Sequence, residues 1–383
     1  MRLLVMGASE SPVCGLRDYN RVLQMALGQL GVEVETTWLE RDSRAGFRAM
    51  ISETRAWSAR VRSAVAHLRP DWVLWHYVPM TYGYRGVPYL VPFAIPRLAR
   101  SDPPLVPLLH ELIYPWGRRG WKGAVYAATT RAALFGVLRA SSGVVVTTEE
   151  RQKWLERCQW APRRPVGLTP VFSNIPVMSR GPRASSGEAR APALGVFGFG
   201  SEGYLVDVVT AAVAILRTRG LPARLVLIGS PGPVGSEGER WRESAQRYGG
   251  FLPEFTGVLE PGPLSAALSD LDILLQPDEA GPTSRRSTLA AGLAHGLPIV
   301  GFDTPTAWQR LVHERAAALV PPSPRTLAHL LEGLLRDGAA RAELGARAAR
   351  FYAAHLDPSV VAGRLLTFLR QLRAGGARCG SLA

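Results

Sequence analysis

Thr283, Ser284, Arg285 and Arg286 stand directly before Ser287-Thr288-Leu289-Ala290-Ala291, a run that reads as a helix to His295 and is rich in good helix formers. The first turn of a helix offers unpaired backbone N–H groups and the positive end of the peptide dipole. Hydroxyls and two guanidinium groups beside such a start suit a phosphate or diphosphate. The plainer reading is a capped helix with a solvated Arg pair. A second candidate is His110, which closes the apolar run from Leu105. A histidine at a strand end can orient a hydroxyl or move a proton. It can equally be a hydrogen-bonded structural residue, and Glu111 either acts with it or caps the next segment. His76 and Tyr77 end another apolar run and read either as packing or as lining for an acceptor. Gly15 allows close backbone approach to a ligand. Asp18 reads as a helix N-cap or an acceptor contact, with capping the safer choice. His295 precedes Gly296 at a helix C-terminus and reads as structural.

Other chemistries lack their residues. Cys14, Cys158 and Cys379 are too widely spaced for a disulfide framework or a metal cluster. No Gly-x-Ser-x-Gly or phosphate-loop lysine motif occurs. No cofactor and no metal are expected. The net charge of +14 is carried almost wholly by arginine, since Lys122 and Lys153 are the lysines. That charge favours anionic partners. It is spread along the chain without a dense basic stripe or reader motif, so nucleic acid is not expected. No apolar run approaches the ~20 residues that span a bilayer. The opening strand is too short for a signal-peptide core, so the expected compartment is the cytosol.

The elements that must position these residues alternate. Strands are expected at Leu3–Met6, Val32–Trp38, Trp72–His76, Leu105–His110 and Gly143–Thr147, with helices from about Asp18 and about Glu149. A second series has strands at Leu194–Phe197, Arg224–Ile228, near Phe255–Gly257, Leu271–Leu275, Leu297–Val300 and Ala317–Val320. Between the two lies a Gly/Pro/Ser/Arg-rich stretch without apolar periodicity, which reads as a linker. Strands spaced by helices pair in parallel. The fold class is α/β: two Rossmann-like doubly wound domains facing across a cleft, over 1–177 and 193–356, with 178–192 as linker and 357–383 as a final helix. In such sheets ligands bind beyond the carboxyl ends of the strands.

The chain resembles B-fold nucleotide-sugar glycosyltransferases, the large group with many retaining enzymes. The resemblance rests on Cys14-Gly15, Leu109-His110-Glu111, Ser173-Asn174-Ile175-Pro176, Leu227-Ile228-Gly229, Phe255-Thr256-Gly257 and Ala294-His295-Gly296-Leu297-Pro298-Ile299-Val300. It implies that the second domain holds the donor. Backbone groups near Val258 and Leu259 would meet the base, and Thr283–Thr288 the diphosphate. It also implies His110 beside the donor sugar, and a final helix that returns to the first domain. The family's usual glutamate pair is missing, with Thr283 and Ala291 at the aligned positions. Asp278 and Glu279 are the candidate replacements. The Gly198–Gly203 loop also lacks the usual Arg/Lys pair, and Arg285 and Arg286 could supply that charge. Glycosyl transfer to a glycan, lipid-linked or small-molecule hydroxyl is the expected activity. The alternatives are a nucleotide-sugar epimerase of the same fold and a non-catalytic nucleotide-sugar-binding partner. Trp116, Arg118, Arg119, Trp121 and Lys122 ahead of an apolar helix read two ways: as peripheral contact with an anionic membrane, or as tryptophans packed inward with solvated cations.

Overall fold

The computed structural model describes residues 1–9, 14–42, 46–89, 103–178, 190–198, 203–229 and 235–379. The chain forms two compact units: Met1–Pro170 with Pro358–Ala383, and Val171–Asp357. Most of the expected linker lies outside the described residues. The division itself falls at Pro170, ahead of the expected residue 177, and the Val171 N–H donates to the Ser284 carbonyl at 2.8 Å within the second unit.

The first unit is built on β1 (Arg2–Ser9), β2 (Glu33–Glu40), β3 (Trp72–Tyr77), β4 (Leu105–Leu109), β5 (Val144–Val146) and β6 (Val166–Leu168). They pair in parallel in the order β2-β1-β3-β4-β5-β6. β6 has no counterpart among the expected strands, because Val166-Gly167-Leu168 is too short to show a period. β1, β3 and β4 are buried on both faces almost throughout, which is why they read as continuous apolar runs. The first helix starts at Gly15 rather than near Asp18. The last helix, Pro358–Cys379, belongs to this unit. Phe368 and Leu372 rest on Gly167 and Gly143, where a Cβ would lie 2.9 and 2.7 Å from them. Arg373 pairs with Asp71 at 3.2 Å. The Arg2 N–H and the Arg373 guanidinium hold the Asp71 carboxyl below the usual carboxylate range.

The second unit carries β7 (Ala193–Phe197), β8 (Arg224–Ile228), β9 (Glu254–Phe255), β10 (Ile273–Gln276), β11 (Ile299–Phe302) and β12 (Ala318–Val320). All are parallel, in the order β12-β11-β10-β7-β8-β9. The sequence order therefore reverses between β7 and β10, a topological switch point. β10 begins at Ile273, later than the expected Leu271. The Leu271 side chain instead fills the space over Gly195, where a Cβ would lie 2.2 Å from it. Asp272 accepts from the Ala193 N–H at 2.8 Å. The helix Ser287–Ala294 sits tight on the sheet, since a Cβ at Gly292 would meet Leu274 at 2.2 Å and Ile299 at 2.8 Å. Gly296 ends it in the left-handed region at φ 61°, as its place in the sequence requires.

Two glycine substitutions separate close approach from backbone freedom. Gly292→Val forces that helix off β10 and should destabilise the second unit by about 1–3 kcal/mol. Gly333→Ala, in a helix with open space around it, should stabilise by about 0.4–1 kcal/mol. Urea unfolding of both variants checks the opposite signs.

Candidate functional site

At the switch point of the second unit, the segments leaving β7 and β10 are stitched together. Leu205 N–H donates to the Pro277 carbonyl and Glu279 N–H to the Gly203 carbonyl, each at 2.8 Å, with a bridge between Tyr204 and Asp278. Gly198 has φ 133°, and a Cβ there would lie 3.3 Å from the Tyr204 hydroxyl and 3.4 Å from Thr288. Gly198 thus lets the end of β7 pass under the start of the helix Ser287–Ala294.

The loop Pro277–Arg286 is rigidly held. Thr304 and Thr306 hydroxyls both donate to the Ala280 carbonyl at 2.7 Å, and the Trp308 N–H donates to the Pro282 carbonyl at 2.9 Å. Asp278 Oδ1 accepts from the Ala280 N–H at 2.9 Å. Its other oxygen takes the Arg286 guanidinium in an ion pair whose carboxylate side chain is only 7% exposed. This revises two expectations. Asp278 and Arg286 satisfy one another, so Arg286 is not a free diphosphate cation and Asp278 is not a free sugar-binding acid. Arg285 is exposed and has no ion pair among the described residues, and Glu279 is also exposed.

Arg286 is the N-cap residue by backbone, and no side chain caps the helix. Ser287, Thr288 and Leu289 therefore open it with N–H groups that lack intrahelical acceptors. Thr283 and Ser284 are buried, and the Thr283 hydroxyl has no hydrogen-bond partner among the described residues. A buried polar atom without a partner is uncommon and calls for an explanation. Val258 is exposed and Leu259 half-buried just beyond β9. His295 is structural: its ring nitrogens meet the Ala291 carbonyl at 2.7 Å and the Ser265 hydroxyl at 2.9 Å.

The first unit has its own polar cluster at the carboxyl ends of β1, β3 and β4. His76 Nδ1 lies 2.9 Å from His110 Nε2, and His76 Nε2 lies 3.3 Å from Asn20 Oδ1. The rings of His76 and His110 stack with centroids 5.1 Å apart. Trp38 also stacks on His76, with centroids 5.8 Å apart. Gly7 makes this stack feasible: it pairs with Trp38 across the sheet, and a Cβ there would strike the indole at 2.4 Å. Burial pushes His76 down to about 4. Burial, then the charge of His76 and that of Arg151, hold His110 well below the ordinary histidine value. Both rings are therefore neutral near pH 7, each with one N–H. With Asn20 Oδ1 as acceptor, His76 donates from Nε2 and accepts at Nδ1. His110 then donates from Nε2 and keeps a lone pair on Nδ1.

Several expectations change here. His76 and Tyr77 are buried at 1% and 0% exposure. They do not form an open acceptor surface; His76 holds His110, and Tyr77 packs edge-on against Trp75 at 5.2 Å. Glu111 is exposed and outside this hydrogen-bonded chain. Asp18 is not the cap, because Cys14 holds that position and its carbonyl accepts from the Asp18 N–H at 3.1 Å. Gly15 opens the helix, and a Cβ there would meet nothing within 4 Å. Tyr19, Asn20, Trp38 and Tyr204 were not among the expected site residues. A buried Asn at a helical position facing a strand histidine was the available signal.

The histidine pair makes stability depend on pH, and the ion pair makes it depend on Arg286. The unfolded chain binds more protons than the folded one between pH 6.5 and about 4, so the histidine pair's contribution to stability is present above 6.5 and is lost as pH falls toward 4. For His76 alone this is on the order of 3 kcal/mol. Thermal melts from pH 7 to 5 should fall steeply, and less so in His76→Gln. Arg286→Ala should destabilise by about 1–3 kcal/mol, since it leaves a buried carboxylate without its cation. Arg286→Ala combined with Asp278→Ala should recover part of that loss in the same melts.

Comparison with known proteins meets this geometry. Residues 195–337 match the family model of glycosyl transferases group 1. Among curated proteins none matches the sequence. The fold is similar to that of sucrose-phosphate synthase from Thermosynechococcus elongatus, at 17% identity and TM-score 0.74, covering 98% of this chain and 99% of that one. It is also similar to the Anabaena protein HepE in complex with UDP, at 14% identity and TM-score 0.68, covering 97% and 100%. WaaG, a glycosyltransferase involved in lipopolysaccharide biosynthesis, gives 15% identity and TM-score 0.63, covering 95% and 98%. The chain thus has the glycosyltransferase-B fold, and the segment that matches the glycosyl transferases group 1 model lies within its second unit.

Proposed function

We propose that this protein transfers a glycosyl group from a nucleoside-diphosphate sugar to a hydroxyl acceptor, in the cytosol and at the inner face of a membrane, in carbohydrate biosynthesis. The observation that carries the reading is the uncapped start of the helix Ser287–Ala294 at a sheet switch point, with the unpartnered Thr283 hydroxyl and the exposed Arg285 beside it. Transfer leaves a nucleoside diphosphate, whose negative charge must be stabilised as the glycosidic bond breaks. Backbone N–H groups fixed in advance, with a cation, do this without a metal. Ser284, Ser287 and Thr288 add hydroxyls at the same start. Backbone near Val258 and Leu259 takes the base, and uridine is supported by the UDP complexes of HepE. Glu279, rather than Asp278, is the acid left to hold the donor sugar's hydroxyls. His110, neutral with a free Nδ1, accepts a hydrogen bond or proton from a reacting hydroxyl.

Arg285→Ala should weaken donor binding roughly ten- to over a hundredfold, the worth of a hydrogen bond to a charged group. His110→Ala should lower kcat by roughly 10²–10⁴-fold, the scale of a positioned proton-transfer group, with donor Kd unchanged. Calorimetric titration with UDP-sugars and turnover across an acceptor panel measure both, and turnover should persist in chelator. A donor sugar that changes without acceptor would replace this reading with epimerisation. Donor binding without turnover on any acceptor would leave a non-catalytic binding partner.

A further inference from the structure

The helix Gly120–Ala140 is apolar on two opposite faces. Ala127, Ala133, Leu134, Val137 and Leu138 are buried in the core of the first unit. The opposite line of the helix, Trp121, Val125, Ala128, Ala132 and Phe135, faces outward. Trp121 is 75% exposed, and Val125 and Phe135 are each 41% exposed. Scattered exposed apolar residues are ordinary, but a continuous line of them marks a contact surface. Trp116, just before the helix, is also exposed.

The charges within the segment that carries this line have one sign. Between Glu111 and Glu149 the chain has no acidic residue, while Arg118, Arg119, Lys122, Arg131 and Arg139 supply cations. The loop that carries Trp116, Arg118 and Arg119 is pinned to the helix. Gly123 admits the Arg118 carbonyl, which a Cβ there would strike at 1.6 Å. The Arg131 guanidinium lies over the Trp116 ring at 4.8 Å and donates to the Tyr114 and Ala127 carbonyls at 2.9 Å. Aromatic and basic residues are therefore presented together at one end of an apolar stripe.

We infer that this stripe lies in the surface of an anionic lipid bilayer. Tryptophan suits the headgroup zone, alanine, valine and phenylalanine suit the acyl boundary, and the cations suit anionic headgroups. A bilayer with anionic headgroups meets both features at once, the apolar line and the cations that flank it. Among the described residues no helix is long and apolar enough to cross a membrane, so the contact is peripheral. The inference extends the proposed function and rests on it in one respect: the hydroxyl acceptor met at this surface is lipid-linked.

Vesicle flotation tests it. The full chain should float with phosphatidylcholine–phosphatidylglycerol vesicles at low salt, stay behind with phosphatidylcholine alone, and be released by high salt. Val125→Asp should abolish flotation. Arg118→Ala, Arg119→Ala and Lys122→Ala together should weaken it roughly a hundredfold, at ~1 kcal/mol for each cation near the surface. Circular dichroism and thermal melts of the same variants without vesicles should match wild type, which shows that they are folded whether or not the donor reading holds. Equal flotation on neutral vesicles, or wild-type flotation of Val125→Asp, overturns the inference. A wild-type dimer that Val125→Asp converts to monomer also overturns it, since the stripe would then seat a second copy.

Discussion

The demand that shapes this protein is the burial of both faces of two parallel sheets. A parallel strand leaves no face for solvent, so nearly every residue of β1, β3 and β4 is withdrawn from water. Polar chemistry is left with the carboxyl ends of the strands and the helix starts beyond them. Both polar clusters obey this limit. Close helix–sheet contact depends on a few glycines, and Gly195 and Gly292 bring Leu271 and Leu274 into spaces that any side chain would block.

Polar groups so placed must be made safe for a dry setting. The two clusters use different means. Asp278 pairs with a cation, Arg286, from eight residues further along the same loop. His76 and His110 give up charge, and a shared hydrogen bond ending on Asn20 orders them. The first solution fixes a loop through an attraction that a lost partner would turn into a buried, unpaired charge. The second fixes which nitrogen of His110 presents a lone pair. Rigidity and donor–acceptor polarity thus come from neighbours that need not touch a substrate.

The architecture was legible because long apolar runs and helix punctuation are local signals. The strand at Arg224–Ile228 stands where its hydrophobic run places it, while β11 starts at Ile299, two residues later than the expected Leu297. The helix start after Arg286 was likewise legible. Its division of labour was not, since only the folded loop shows that Asp278 claims Arg286 and leaves Arg285 to solvent. The same holds for Gly7: a glycine inside an apolar strand carries no local sign that Trp38 will cross it to reach His76. The outward line on the helix Gly120–Ala140 was obscured because the helix is apolar on both faces and shows little amphipathic contrast along the sequence.

The placement of the last helix has a bearing on how the chain comes off the ribosome. Domains generally fold in the order in which they are synthesised. Here the first unit is split, with the whole second unit inserted between residue 170 and residue 358. Gly143 and Gly167 lie uncovered until Phe368 and Leu372 emerge. The second unit, continuous in sequence, has every one of its strands available before that point. The unit whose strands are made first is therefore the one completed last, and a nascent chain stalled short of residue 358 would hold a finished second unit and a first-unit sheet with a bare flank.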